Sequence, residues 1–336
     1  MTTYFRPIPM LDAARPADAL PLAGSWAWFD RVERLTRSGP GELIKAAEIP
    51  GDILASLTAA RAPVAGLTLD RPRLMGVLNV TPDSFSDGGA HPNTAAAMDH
   101  ARCMAEAGAD MLDIGGESTR PGAEPIDPDD EIARTAPVVS AIAGLGPPVS
   151  IDTRKAKVAR AALQAGATML NDVSALCYDP AMAATAAKAQ VPICLMHAQG
   201  TPETMHLDPR YDDVLFDVYD ALAARRDAAI AAGIARERIV LDPGIGFGKS
   251  LDHNLRLLRN LGLFHGLGCP ILLGASRKRF IGTLGRAPDP TARMPGSVAV
   301  ALAAVAQGVQ ILRVHDIEAT KQALILQGAV TGRGPW

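Results

Sequence analysis

Three stretches decide the fold: AEAGADMLDI (Ala105–Ile114), LQAGATMLND (Leu163–Asp172) and VAQGVQILRV (Val305–Val314). In each, an alanine-rich helical pattern runs into a glycine (Gly108, Gly166 or Gly308), and an apolar strand-like run begins about two residues later. Glycine takes the left-handed position that ends a helix without a Cβ clash. The same junction repeated along a chain is the signature of αβ units. Working outward, the candidate strands are Leu74–Leu78, Met111–Ile114, Val149–Ile151, Thr168–Leu170, Pro192–Met196, Arg238–Leu241, Pro270–Leu273 and Gln310–Val314. Each has about the length of a buried parallel strand. Amphipathic stretches such as Thr94–Ala107, Lys155–Ala165 and Val214–Ala232 separate them. This rhythm predicts an α/β fold, a TIM (β/α)8 barrel over residues 74–336. A doubly wound open sheet is the alternative; the strand count and the lack of G-x-G-x-x-G after the first strand favour closure.

Residues 1–73 read differently. Tyr4–Met10 is a candidate short strand, Trp26–Leu35 is aromatic and charged, and Gly39-Pro40-Gly41 and Pro50-Gly51 are breaks. This is an N-terminal extension whose role the sequence does not disclose. Across 336 residues the composition is 48% hydrophobic and 21% charged, which excludes a mostly disordered chain. Lys+Arg 33 against Asp+Glu 36 leaves a net charge of -3, which disfavours a general nucleic-acid or membrane-surface binder. Four cysteines without a C-x-x-C pair fit a reducing compartment. The N-terminus shows no secretory pattern, and the longest apolar run, Val298–Ala306, is too short to span a bilayer. A cytoplasmic protein is the expectation.

The strand ends carry the chemistry. Each apolar run gives way to polar residues: Asn79, Asp113, Asp152, Asn171 and Asp172, His197, Asp242, Ser276 to Lys278, and Arg313, His315 and Asp316. A single Asp after a strand is usually a helix cap. Eight ends doing so with carboxylates, amides and cations call for more than capping. In a barrel these ends share one face, where barrel enzymes build their sites. Such a ring suits a flat heterocycle that both donates and accepts hydrogen bonds. Basic residues at Arg120, Arg277, Lys278, Arg313 and His315, with helix N-termini following the loops, suit a phosphate or pyrophosphate. Surface charge is the plainer explanation for any one of them, least so for Arg313, which lies inside an apolar strand. Two glycine-bearing loops, Asn79–Gly89 and Gly115–Ala123, have the composition of substrate lids.

Other chemistries fail on the residues. Gly244–Ser250 imitates a phosphate-binding P-loop, but Pro243 stands where that pattern needs glycine. No close His/Cys cluster suggests zinc, and His197 reads as a hydrogen-bonded histidine rather than a metal ligand. No G-x-S-x-G elbow supports a serine hydrolase.

The run MGVLNVTPDSFSDGG (Met75–Gly89) resembles the signature of the dihydropteroate synthase family. So do DIGGESTRPG (Asp113–Gly122), IDT (Ile151–Thr153), Asn171-Asp172, LMH (Leu195–His197), LDPGIGFGK (Leu241–Lys249), SRK (Ser276–Lys278) and RVHD (Arg313–Asp316), in the family's order. The resemblance covers Leu74 to the C-terminus. It implies condensation of 6-hydroxymethyl-7,8-dihydropterin pyrophosphate with p-aminobenzoate to 7,8-dihydropteroate and pyrophosphate, in folate biosynthesis. It further implies pterin contacts from Asp152, Asn171, Asp242 and Lys278. Asn79, Arg313 and His315 would hold the pyrophosphate, with Mg2+ shared between Asn79 and phosphate oxygens. Thr119, Arg120, Pro121, Phe85, Phe247, Ser276 and Arg277 would serve the aminobenzoate pocket and lids. Catalysis would fall to Arg313, His315, Lys278 and Asn79 through dissociative displacement, without a protein nucleophile. The family also suggests sulfonamide as an inhibitor class and a homodimer, for which the helix Ser297–Gln307 could serve as readily as pack in the core. The rivals are a pterin-binding methyltransferase acting on a corrinoid and a pterin-binding paralogue without turnover.

Overall fold

A computed structural model describes residues 2–80, 94–118, 125–200, 204–205, 207–334 and 336. The extension forms strands β1 (Thr3–Pro7), β2 (Leu20–Pro21), β3 (Trp28–Phe29), β4 (Arg31–Thr36) and β5 (Gly39–Lys45), then helix α1 (Gly51–Thr58). The barrel alternates β6 (Arg73–Asn79), α2 (Thr94–Glu106), β7 (Met111–Gly115), α3 (Pro128–Ile142), β8 (Val149–Asp152), α4 (Ala156–Ala165), β9 (Met169–Asp172), α5 (Met182–Ala189) and β10 (Ile193–Met196). It continues with α6 (Val214–Ala231), β11 (Ile239–Asp242), α7 (Leu251–Arg259), β12 (Leu272–Leu273), α8 (Arg279–Leu284), α9 (Met294–Ala306), β13 (Ile311–Val314) and α10 (Ile317–Val330).

All eight expected barrel strands form, and each pairs in parallel with its neighbours in the order β11-β10-β9-β8-β7-β6-β13-β12. A parallel bridge between Leu241 and Ile271 joins the two ends, so the sheet closes. The seam is its thinnest part: β12 has two residues, and Pro270 before it has no N–H to give. Gln310 compensates, its Oε1 accepting from the Ile271 N–H at 2.8 Å. The glycines of the three repeated junctions have φ of 95° at Gly108, 114° at Gly166 and 80° at Gly308, in the left-handed region.

Strand residues alternate between two faces. The outward set, among them Leu74, Leu112, Ile151, Leu170, Leu195, Leu241 and Leu312, packs under the helices in one large core. The inward set is a separate cluster of Met75, Met111, Met169, Cys194, Val240, Leu272 and Ile311, the floor of the barrel. Two residues further along four of these strands the inward positions turn polar: Asp113, Asn171, Asp242 and Arg313 stand about 7 Å above that floor.

The extension closes the floor from below. Val64 and Leu69 join the inward cluster. They flank a hairpin in which Val64 and Leu67 exchange two 2.9 Å backbone hydrogen bonds. Its central residues, Ala65 at φ 49° and Gly66 at φ 82°, both lie in the left-handed region that such two-residue loops require. The antiparallel sheet β1-β4-β5 lies along α6. Tyr4 stacks on Phe216 with ring centroids 4.3 Å apart and donates its hydroxyl to Asp220 at 2.8 Å. Arg37 pairs with Asp217 and Asp220. Trp26 Nε1 donates to the Val305 carbonyl at 2.9 Å. Tyr4, Leu22, Phe29, Val32 and Leu57 belong to the same buried core as the barrel's helices. Among the described residues no helix is long and apolar enough to cross a membrane.

Because Leu69 fills the floor, Leu69→Ala should lower the unfolding free energy by about 2–5 kcal/mol. A urea melt reads this as a lower midpoint at unchanged slope. A loss below about 0.5 kcal/mol would show that the plug adds nothing.

Candidate active site

Four strands send polar side chains into the upper barrel, and these meet. Arg313 on β13 donates from Nε to Asp113 Oδ2 at 2.6 Å and from its terminal nitrogen to Asp152 Oδ2 at 2.8 Å. Asn171 Nδ2 on β9 donates to the same Asp113 oxygen at 3.0 Å. Asp113 is 0% exposed. The other oxygens of both carboxylates, Asp113 Oδ1 and Asp152 Oδ1, are buried without a hydrogen-bond partner. Unsatisfied buried acceptors are expensive, and each marks a place where a donor belongs. Burial pushes the Asp152 carboxyl up, against the pull of Arg313 and with the repulsion of Asp113 added. Burial opposes the Arg313 charge, but Asp113 and Asp152 outweigh it and hold the guanidinium protonated.

Asp242, at the end of β11, accepts from the Gly244 N–H at 2.7 Å through Oδ1. Burial raises its pKa, with Lys278 the foremost opposing charge. Lys278 follows β12, donates to the Ile245 carbonyl and lies 4.4 Å from the centre of the Phe247 ring. Burial lowers its pKa to about 8, against the attraction of Asp242. Two glycines keep the mouth open. A Cβ on Gly115 would stand 3.5 Å from Asn79 Oδ1 and 3.8 Å from Asp152 Oδ2; one on Gly274 would stand 3.8 Å from both Arg313 and Asp242 Oδ2. Asn79 and Asp152 therefore border one gap, and Arg313 and Asp242 border another.

The P-loop look-alike has a different task. Gly244, Gly246 and Gly248 all have positive φ. A Cβ on Gly244 would lie 1.9 Å from the His197 carbonyl oxygen, and one on Gly248 2.4 Å from that of Gln199. The glycines let this loop run against the backbone after β10. Lys249 fastens the two together, its Nζ 3.0 Å from the Phe247 carbonyl, 3.3 Å from the His197 carbonyl and 3.0 Å from His197 Nδ1. Burial, then Lys249, lowers the His197 pKa to about 3, so its ring is neutral and Nδ1 can accept from the lysine. His197 is thus a hydrogen-bonding partner, and among the described residues no group of three or more His, Cys, Asp or Glu could hold a metal.

His315 Nδ1 lies 3.0 Å from Ser276 Oγ, which also accepts from the His315 N–H at 3.2 Å. Arg277, at φ 57°, pairs with Asp316, with Nε to Oδ2 at 3.0 Å. It is thereby directed toward β13's exit. Phe85, Thr119, Arg120 and Pro121 lie outside the described residues. The structure thus gathers Asp152, Asn171, Asp242, Lys278, Arg313 and Asn79 around the upper barrel, with Phe247 beside Lys278 and Ser276 beside His315.

Two groups were not singled out from sequence. One is Lys249, whose signal is its place after three alternating glycines. The other lies beside β8: Glu117 accepts from Arg154 at 3.0 Å and Lys155 at 2.8 Å, and Lys155 also donates to Glu131 at 2.7 Å and the Ile126 carbonyl at 2.8 Å. Lys155 thereby ties residues on both sides of 119–124. Only the buried charges themselves hinted at it.

The family model described as pterin binding enzyme matches residues 75–315. The dihydropteroate synthase of Neisseria meningitidis serogroup C is 50% identical over 259 residues, 76% of this chain and 92% of that protein. That of Escherichia coli strain K12 is 46% identical over 259 residues, 77% of this chain and 91% of that protein. Among solved structures, Xanthomonas albilineans dihydropteroate synthase with 4-aminobenzoic acid matches with a TM-score of 0.75 and 49% identity, over 79% of this chain and 96% of that one. The same enzyme in complex with 7,8-dihydropteroate matches with a TM-score of 0.71 and 46% identity, over 79% of this chain and 95% of that one. A barrel mouth lined by these groups, together with these matches, shows that the chain belongs to the dihydropteroate synthase family of pterin-binding enzymes.

Proposed function

We propose that the barrel mouth condenses 6-hydroxymethyl-7,8-dihydropterin pyrophosphate with p-aminobenzoate, releasing 7,8-dihydropteroate and pyrophosphate, the dihydropteroate synthase reaction of folate biosynthesis. The observation that carries this reading is the buried, unpartnered carboxylate oxygen of Asp152, Oδ1, in a mouth that also holds Asp242 and Lys278. A ring with several N–H groups supplies what this acceptor lacks.

In this reading Asp242 accepts from the pterin amino group and ring N–H, Asn171 meets the adjacent edge, and Asp152 meets the far side. Lys278 donates to the ring oxygen and nitrogen. The pterin's arrival at Asp152 takes the place of the Arg313 terminal nitrogen, while Nε stays on Asp113. The released end of the guanidinium then turns to the pyrophosphate, beside His315. Binding the ring thus arms the group that stabilises the leaving charge. The methylene C–O bond breaks with its electron pair going to pyrophosphate. The electron-rich pterin carries the cation, and the aminobenzoate nitrogen adds to the methylene and loses a proton. No side chain needs to form a covalent bond. Phe247 and Ser276 border the aminobenzoate, with Arg277 behind them.

The mouth has the donor for a lightly held Mg2+. Asn79 Oδ1 is a hard oxygen facing the gap above Gly115, and Mg2+ usually keeps most of its waters and takes few protein ligands. When bound there, the ion would neutralise pyrophosphate charge. We also propose a cytoplasmic homodimer. The free cysteines suit a reducing compartment, and α10 leaves Leu326 and Val330, one turn apart, exposed. Helix α9 buries Ala301, Ala304 and Val305 against the core, so only its outer face is open to a partner.

Three outcomes test the reading. Arg313→Ala should lower turnover by about 100-fold or more, as loss of a leaving-charge donor does. The assay is pyrophosphate release that depends on p-aminobenzoate; near-normal turnover would remove Arg313 from that role. Gly274→Ala makes only ordinary contacts but fills the gap between Arg313 and Asp242. It should raise the KM for the pterin substrate about tenfold at unchanged thermal stability; an unchanged KM would place the ring elsewhere. For pH, kcat/KM reports ionisations of the free enzyme. Because burial lowers Lys278 to about 8, the cation is present below that pH and lost above it. The kcat/KM profile should therefore fall on the alkaline side of about pH 8, and Lys278→Met should lack that limb. Persistence of the limb in the variant would assign it to another group.

A further inference from the structure

Asp113 stands at the centre of the mouth, yet the proposed chemistry gives it no contact with the reacting atoms. It is fully buried, and its single oxygen Oδ2 accepts from two side chains far apart in the chain, Arg313 at 2.6 Å and Asn171 at 3.0 Å. A structural ion pair would explain the first bond, although a buried pair is weak evidence for stability. It does not explain the second. A side-chain amide has one accepting and one donating end, and its neighbours decide which way round it sits. With a carboxylate oxygen 3.0 Å away, the opposite orientation of Asn171 would set two acceptors against each other in a buried site. The carboxylate therefore commits one Nδ2 hydrogen of Asn171 to itself. The amide's Oδ1 and its second N–H remain, in fixed order, for whatever ligand edge meets them.

We infer that Asp113 is a positioning and specificity-determining residue, which locks the Asn171 amide so that the site accepts a ring edge carrying an N–H opposite Oδ1 and rejects one carrying an oxygen there. The inference rests on the pterin reading above. Asp113 also pins the Nε side of Arg313, so one carboxylate sets both the recognition of the ring and the starting orientation of the guanidinium. A neutral residue at 113 frees the amide to turn over and meet either kind of edge. The remaining discrimination then comes from Asp242 alone.

The exocyclic amino group has two N–H bonds, one for Asp242 and one for Asn171 Oδ1, so the test compares two probes by calorimetry: 6-hydroxymethylpterin, and the same pteridine with a carbonyl oxygen in place of that amino group. The wild-type protein should favour the amino compound by about 100-fold or more, since a site built to accept an N–H rejects its absence. In Asp113→Asn that preference should shrink by about tenfold or more, with the melting temperature measured alongside. If both probes weaken equally and their ratio is unchanged, Asp113 is merely structural and the inference falls. If the wild-type protein binds neither probe, the pterin reading itself falls. Should Asp113→Asn not be recovered folded, the wild-type protein decides. Its Asn171 side-chain amide should show one hydrogen protected from exchange in the nuclear magnetic resonance spectrum without ligand. Two freely exchanging hydrogens would overturn the inference.

Discussion

A guanidinium held inside a barrel by two carboxylates is the constraint on which the site depends. Arg313 reaches from β13 to Asp113 on β7 and Asp152 on β8, and Asn171 closes the set from β9. Alone, each of these groups would be costly where it stands, because the interior gives charge and polarity little solvation. Together they satisfy part of one another's demand and leave two carboxylate oxygens unmet. A mouth assembled this way has its shape and polarity set before any ligand arrives. It retains an appetite for donors, the form of preorganisation on which electrostatic catalysis relies.

Such a polar layer needs a rigid floor. The inward side chains Met75, Met111, Met169, Cys194, Val240, Leu272 and Ile311 supply it, and Val64 and Leu69 of the extension seal it from the opposite end. The floor connects the extension to the site. Residues outside the matched 75–315 segment pack under the strands whose upper ends carry the polar layer. The β1-β4-β5 sheet lies on the flank at α6, held by the Tyr4–Asp220 and Arg37–Asp217 contacts.

The barrel was legible because its signals are local. Each strand is a short apolar run, and a glycine with positive φ precedes three of them, at Gly108, Gly166 and Gly308. Most of the polar rim was legible for the same reason, since its residues end or interrupt apolar runs. What escaped was what depends on convergence. Strands buried on both faces are apolar on both, so the alternation that separates floor from helix-facing core does not appear in the sequence. The link from Asp113 to Asn171 spans 58 positions and that to Arg313 spans 200. The floor hairpin was hidden because Ala65 occupies a left-handed position where glycine or asparagine would announce a turn. Strand β5 was hidden because six of its seven residues are exposed and show no pattern of burial.

The central claim is that one polar layer binds the ring and, in doing so, hands Arg313 to the leaving group. The most direct measurement is a crystal structure of the chain with a dihydropterin pyrophosphate analogue whose scissile oxygen is replaced by a methylene. The account requires the ring's N–H groups within hydrogen-bond distance of Asp152, Asn171 and Asp242. It also requires the terminal guanidinium nitrogen of Arg313 to have left Asp152 for the phosphate. A ring seated outside the barrel mouth, or an Arg313 still bridging both carboxylates beside the bound analogue, would contradict it.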